Sequence, residues 1–347
     1  MPFQITIQPS GHTFTPEADE TILEAALRQG FTLPYGCRNG ACGSCKGKVI
    51  AGQVDYGDHQ PNTLTDEEKA QGLALFCCAT PLSDLTIECR EVGATKDIQV
   101  KTIPCRVQKL EKVSHDVAVL SLKLPASERL QFLAGQYIDI LLKDGKRRSF
   151  SLANAPHDDE FLQLHVRHVA GGAFTAYVFN QMQEKAILRF EGPLGTFFLR
   201  EDSDKPIILL ATGTGFAPIK GIVEHALYTD SRRPMTLYWG GRHKGDLYMF
   251  DLPRKWAAEH AHFKFVPVLS QPAAEDAWSG RTGHVQNCAL ADHPHLADCQ
   301  VYACGSPAMV AEAHKTLVAA GLPEDEFYSD AFTFSKDAQA KAAGSAA

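Results

Sequence analysis

Three thiols stand close together in the stretch Cys37-Arg38-Asn39-Gly40-Ala41-Cys42-Gly43-Ser44-Cys45, a C-x4-C-x2-C run. A fourth follows at Cys77, within Leu75-Phe76-Cys77-Cys78-Ala79. With this spacing, four thiolates can hold the two irons of a 2Fe–2S cluster. Gly36, Gly40, Ala41, Gly43 and Ser44 surround the thiols. Small residues let backbone N–H groups approach the inorganic sulfurs, and glycine accepts the positive φ of a wrapped loop. Four cysteines can also bind zinc, but zinc sites usually pair two short C-x2-C knuckles, and only one is present here. Disulfides are the third reading.

A second chemical feature lies far downstream. Pro206-Ile207-Ile208-Leu209-Leu210-Ala211 is a continuous apolar run, as expected of a buried parallel strand. It opens directly into Thr212-Gly213-Thr214-Gly215-Phe216-Ala217-Pro218, and a helix is expected through Ile219 to Leu227. Strand, glycine turn and helix form a dinucleotide-binding arrangement, with phosphates at the helix N-terminus. The pattern is not G-x-G-x-x-G, so the usual fingerprint does not apply.

The elements that position these residues fall into three groups. Residues 1–94 read as a hairpin around Gly11, a helix from Ile22 ended by Gly30, the thiol loop, and late strands at Val49-Ile50 and Leu85-Thr86-Ile87. Residues 99–202 carry alternating strands such as Val117–Leu124, Tyr137–Leu141 and Phe161–Val166, which suggest an antiparallel β-barrel. In residues 203–335, further buried strands at 235–240 and 263–269 alternate with helices, indicating an α/β layer with a parallel sheet. Residues 336–347 form an Ala-rich tail expected to be disordered.

A chain of 347 residues suffices for these three domains, at roughly 100–200 residues each. Residues 1–92 hold 12 Asp and Glu against 6 Lys and Arg, a net of −6 out of −7 for the whole chain. That balance argues against nucleic acid as a partner and allows either an acidic electron-transfer face or a merely solvated one. No apolar run is long enough for membrane insertion, and the first residues alternate like a strand rather than a signal peptide. Reduced thiols in a cytoplasmic protein are therefore expected.

The first group, with Leu33-Pro34-Tyr35-Gly36-Cys37 and Leu75-Phe76-Cys77, resembles the β-grasp 2Fe–2S ferredoxins. The resemblance makes Cys37, Cys42, Cys45 and Cys77 the metal ligands. Cys78 is expected to point the other way along an extended strand, as a core thiol like Cys89. The rest resembles the ferredoxin–NADP reductase superfamily. Arg148-Ser149-Phe150-Ser151 is similar to its Arg-x-Tyr-Ser flavin signature, with Phe150 in the tyrosine's place. Gly171-Gly172-Ala173-Phe174-Thr175 is similar to its phosphate-binding turn, and Thr212–Pro218 to its Gly-x-Gly-x-Ala-Pro segment. An arginine can fork onto the FAD pyrophosphate, and a glycine turn at a helix start offers N–H groups to the same anion. The resemblance implies Ser151 near flavin N5, and His165, Val166 and Arg167 along the cofactor. It also implies Cys304, in Cys304-Gly305-Ser306-Pro307-Ala308-Met309, beside the nicotinamide. Phe332, in the closing segment, would cover the flavin ring. Gly240 and Arg242 would meet the pyridine nucleotide, and Cys288 and Cys299 are structural.

Together these imply an oxidoreductase that takes electrons from NADH, with NADPH the less favoured donor, through FAD and a 2Fe–2S cluster to a protein electron acceptor. The domain order is that of the reductase components of bacterial oxygenases. The wording of Tyr35–Lys46 is similar to the reductases of dideoxysugar synthesis, whose partner is a pyridoxamine-phosphate dehydrase. The acceptor is thus expected to be a dehydrase or an oxygenase component. From another class, the alternative is a non-catalytic electron carrier or a zinc-stabilised adaptor.

Overall fold

The structure, a computed structural model, describes residues 3–95 and 97–333. The expected tail at 336–347 lies outside the described residues. The chain divides into two compact units, residues 1–99 and 100–347.

In the first unit Ile5 and Ile7 are fully buried while Gln8 is exposed, the alternation of a strand with one covered face. The strand Ile5–Gln8 pairs antiparallel with Thr13–Phe14, the expected hairpin, and parallel with Leu85–Glu88. Lys46–Ala51 and then Leu73–Leu75 complete a five-stranded mixed sheet. The helix Ile22–Arg28 begins where Thr21 and Glu24 form a reciprocal capping box, a Thr-x-x-Glu pattern visible in the sequence. It buries Ile22, Leu23, Ala25 and Ala26 in the core. Each such fully buried large aliphatic contributes roughly 1.5–3 kcal/mol. Gly30, at φ 86°, follows the helix and supplies its left-handed exit.

The second unit contains two sheets. The first has six antiparallel strands in the order Arg147–Ser151, Tyr137–Leu141, Ile187–Leu194, Lys101–Lys112, Val117–Lys123 and Leu162–Arg167. Its outer strands meet at one isolated bridge, Leu152 with Leu164, rather than through a continuous ladder. Of the expected barrel, the six-stranded antiparallel sheet is thus present. The second sheet runs Arg281–Thr282, Phe263–Leu269, Met235–Gly241, Ile207–Thr212, Gln300–Gly305 and Phe327–Ala331, every pair parallel. The helices Phe216–Tyr228 and Pro307–Ala319 follow its central strands. Ile207–Ala211 is buried throughout, which explains the uninterrupted apolar run. Phe216 stacks on Trp239 with ring centroids 3.9 Å apart, fixing the first helix turn against the neighbouring strand. Among the described residues no helix is long and apolar enough to cross a membrane.

Candidate functional site

The cluster loop lies between the helix Ile22–Arg28 and the strand Lys46–Ala51. Its return is fixed by backbone: the Phe76 N–H donates to the Cys45 carbonyl at 3.0 Å, bringing the Cys77 segment beside the loop. The four thiols converge as two pairs, Cys37 with Cys42 and Cys45 with Cys77, each joined by a side-chain hydrogen bond. The pairs are close enough for Cys42 to act electrostatically on Cys45, and Cys77 on Cys37. Hydrogen bonding from Cys42, against burial, lowers the Cys37 thiol, helped by the N–H groups of Asn39 and Ala41. Cys77 is lowered in the same way by Cys45 and Cys78, with the Gly40 N–H as a further donor. Donors of this kind favour the thiolate that iron requires. Among the described residues no three or more His, Cys, Asp or Glu side chains gather to hold a single metal ion. The two neighbouring thiol pairs supply the four thiolate donors that a 2Fe–2S cluster would need.

Cys78 departs from expectation. Residues 76–78 form a turn, not an extended strand, with the Cys78 N–H donating to the Leu75 carbonyl at 2.9 Å. The alternation that would have turned it away therefore does not operate, and its sulfur lies 3.6 Å from that of Cys77. Cys89 is half-buried against the same core, and burial pushes its thiol up to about 12.

In the second unit the two flavin-like motifs meet. Phe150 lies 5.5 Å from Phe174, ring to ring, so the strand Arg147–Ser151 adjoins the helix Ala173–Asn180. Gly172 caps that helix without a side chain, and a Cβ there would come 2.8 Å from Thr175 Oγ1. The Thr175 hydroxyl accepts from the Val169 N–H at 3.1 Å, closing the turn beneath the first N–H groups at Ala173 and Phe174. Helix starts leave such groups without intrahelical partners, a site for an anion. Arg148 and Phe150 are half-buried on their strand, while Ser149 gives its hydroxyl hydrogen to Asp139 at 2.6 Å. The cradle and the half-covered ring fit a flavin nucleotide.

Strand alternation separates the next three residues. Val166 turns into the core, whereas His165 and Arg167 face the other side. Arg167, ion-paired with Asp116 at 2.7 Å, reaches the nucleotide turn: a Cβ at Gly213 would sit 3.2 Å from its guanidinium. His165 is hydrogen-bonded with the Tyr248 hydroxyl at 2.8 Å. Burial first, and the nearby Lys220 charge second, depress His165 from 6.5 to about 3. Below pH 6.5 the unfolded chain therefore binds a proton that the folded chain refuses, and stability falls as the pH drops from 6.5 toward 3. We expect His165→Gln to flatten the pH dependence of unfolding in this window by up to about 1.4 kcal/mol per pH unit. Urea unfolding at pH 4.5–6.5, in steps, measures it; an unchanged slope would count against the depressed imidazole.

Thr212, Gly213, Thr214 and Gly215 form a tight turn before the helix that contains Pro218. The Thr212 hydroxyl accepts from the Ser306 N–H at 3.0 Å, tying the turn to the segment after Cys304 and Gly305. Cys304 is fully buried, paired in register with Ala211 and Asp330, and burial followed by the Asp330 charge pushes its thiol well up. Ser151 donates to an Asp330 carboxylate oxygen at 3.2 Å. Phe332 donates its N–H to the Gly305 carbonyl at 2.8 Å and packs at the edge of the nucleotide-side core. Gly240, the last residue but one of its strand, lies against Val285, and Arg242 pairs with Asp246 at 3.6 Å. Cys288 and Cys299 are buried, as expected of structural residues.

Sequence reasoning missed Asp330, Tyr248 and Lys220. Lys220 gave a signal: it is the sole charge in Phe216–Val223. Its ammonium, almost wholly buried, donates to the Ala153 carbonyl at 3.1 Å and pairs with Glu224 at 2.7 Å. It thereby ties the helix after the glycine turn to the segment after Ser151.

Comparison with known proteins adds to this geometry. The 2Fe-2S iron-sulfur cluster binding domain family matches residues 5–82, the oxidoreductase FAD-binding domain family 104–199 and the oxidoreductase NAD-binding domain family 209–315. The chain is 42% identical over 336 residues to the CDP-6-deoxy-L-threo-D-glycero-4-hexulose-3-dehydrase reductase of Yersinia pseudotuberculosis, covering 97% of this chain and 100% of that one. It is 35% identical over 352 residues to the phenol 2-monooxygenase reductase component DmpP of Pseudomonas sp., covering 100% and 99%. Among solved structures it resembles Amycolatopsis cytochrome P450 reductase GcoB, with a TM-score of 0.76, 34% identity and coverage of 96% and 99%.

Proposed function

We propose, given that the chain belongs to the 2Fe–2S flavoprotein reductases of the ferredoxin–NADP reductase superfamily, that it draws electrons from NADH and hands them one at a time to a deoxysugar dehydrase. On this reading it is a CDP-6-deoxy-Δ3,4-glucoseen reductase. When bound, FAD accepts two electrons as hydride and releases them singly, and this chemistry is the cofactor's own.

The chain's residues bind and orient. Cys37, Cys42, Cys45 and Cys77 hold the cluster. Arg148, Arg167 and the Gly172–Thr175 turn hold the flavin's pyrophosphate, with Phe150 against the cofactor in the place of a tyrosine. The antiparallel sheet, whose edges meet at Leu152 and Leu164, we read as a barrel carrying that cofactor. Thr212–Gly215 and Pro218 receive the nucleotide at their helix start. Ser151 is assigned to flavin N5, Cys304 to the nicotinamide, and Phe332 to the flavin face. We place the domain limits at 1–94, 99–202 and 203–335.

One observation carries the reading: Ser151, at the end of the flavin-side strand, donates to Asp330, which pairs in register with Cys304 on the nucleotide side. Hydride transfer demands that these two strand ends meet. NADH is preferred over NADPH because Asp246 takes the N–H groups of Arg242 and His243, and Asp276 that of Lys244. Asp246, 3.6 Å from the Arg242 guanidinium, offsets a charge that a 2′-phosphate would otherwise meet.

The dehydrase is favoured by full-length similarity to a reductase named for one. A monooxygenase or dioxygenase component is the second reading, supported by similarity to the phenol hydroxylase and P450 reductases. Anaerobic NADH should bleach both flavin and cluster absorption. Turnover with a purified dehydrase, against an oxygenase component, then separates the acceptors. Both chromophores staying oxidised would defeat the whole proposal. Arg148→Ala should weaken FAD retention roughly 10- to 100-fold, the 1.5–3 kcal/mol of a hydrogen bond to a charged group. Flavin content after gel filtration measures this, and full retention would remove Arg148 from the pyrophosphate.

A further inference from the structure

The fifth thiol of the cluster region is held in place. Its turn is closed by the Cys78 N–H on Leu75, and its sulfur packs over Gly40, where a Cβ would come 2.8 Å from Cys78 Sγ and 2.9 Å from His59 Cα. Gly40, at φ 72°, thus serves both the loop's path and the sulfur's seat. From there Cys78 Sγ lies 3.6 Å from Cys77 Sγ, within hydrogen-bonding distance for two sulfurs.

In the bare geometry either sulfur could be the donor. Iron removes that ambiguity. A metal-bound cysteine is a thiolate and has no hydrogen to give. Only Cys78 can then donate. The Gly40 N–H already points to the same sulfur, so Cys77 would receive two donors.

We propose that Cys78 is a positioning residue for the cluster's potential, its S–H donating to the Cys77 thiolate and making the cluster easier to reduce. Reduction adds negative charge that spreads onto the thiolate sulfurs. A donor facing that charge stabilises the reduced state more than the oxidised one, and hydrogen bonds to the sulfurs are among the factors that set such potentials. The thiol donor is weak but half-buried. The inference rests on the assignment of Cys77, not Cys78, as the fourth ligand.

The experiment uses the full chain with flavin and cluster in place. Iron and flavin per chain are measured for Cys78→Ala and Cys78→Ser, and the potential is read by a dye-mediated titration followed by electron paramagnetic resonance. Cys78→Ala should keep its iron and shift to a more negative potential. Cys78→Ser, whose hydroxyl still donates, should restore the potential of the unsubstituted chain or exceed it. An alanine variant with full iron and unaltered potential overturns the inference while leaving the ligand set intact. An alanine variant that keeps flavin but loses iron makes Cys78 a ligand and overturns the assignment of Cys77. Should alanine cost the chain both cofactors, the serine variant decides, and a potential below that of the unsubstituted chain counts against us.

Discussion

Replacing Cys45 by serine is expected to abolish cytochrome c reduction while NADH still reduces the flavin at an undiminished rate. Cys45 is buried in the core of the first unit, and its carbonyl fixes the Cys77 segment through the Phe76 N–H. Serine is nearly isosteric, so the backbone return survives. What changes is the donor atom. A hydroxyl ionises far less readily than a thiol, so serine is a much poorer iron ligand at this position. The flavin should be spared because every cluster thiol lies within residues 1–99 and every flavin and nucleotide motif within 100–347. Iron analysis, the visible spectrum and stopped-flow flavin reduction together decide. Equal loss of both activities would show that the two units do not divide the work.

Two parts of this arrangement were legible because they rest on local rules. The helix Ile22–Arg28 is legible from its apolar spacing closed by Gly30, and the strand–turn–helix at 207–228 from an apolar run fitting a strand covered on both faces. The thiol spacing pointed to two irons, and the pairing of the thiols agrees with it. Other features depend on contacts that spacing does not encode. Ser151 meets Asp330 across 179 residues of chain. The Ser149 hydroxyl is committed to Asp139 on a neighbouring strand, which a four-residue motif cannot reveal. Cys78 was misread because alternation holds only in extended backbone, and Leu75 to Cys78 turns. Barrel closure is likewise a property that alternation does not carry. Alternation identifies strands, but a ladder between the first and last of them is a long-range property. Lys220 was readable in principle, since one charge in an apolar helix must find partners or leave the core.

Gly215→Ala should be severely damaging in the nucleotide-binding half. A Cβ at this position would lie 2.5 Å from the Cys304 carbonyl carbon and 2.8 Å from Gly305 Cα, closer still to the Cys304 oxygen. These are backbone atoms of the inner strand Gln300–Gly305, held by ladders on both sides, so they cannot swing away as a side-chain tip would. The helix start must move instead, and with it Thr212, whose hydroxyl holds the Ser306 N–H. Overpacking of this kind costs about 1–3 kcal/mol in stability. The functional cost should be larger in proportion. A displacement near 1 Å between reacting groups slows a reaction by about 100-fold. The expected outcome is a protein that retains flavin and cluster and is still reduced by dithionite, but whose flavin is reduced by NADH about two orders of magnitude more slowly. The Arg148 and Gly172 elements lie on other strands and helices, which is why flavin content should hold. Stopped-flow reduction by NADH, compared with flavin content and thermal unfolding of the same sample, separates the outcomes. Unaltered hydride transfer would mean that the turn at Gly213–Gly215 yields without disturbing Cys304, and that the close approach seen there does not set the nicotinamide's place.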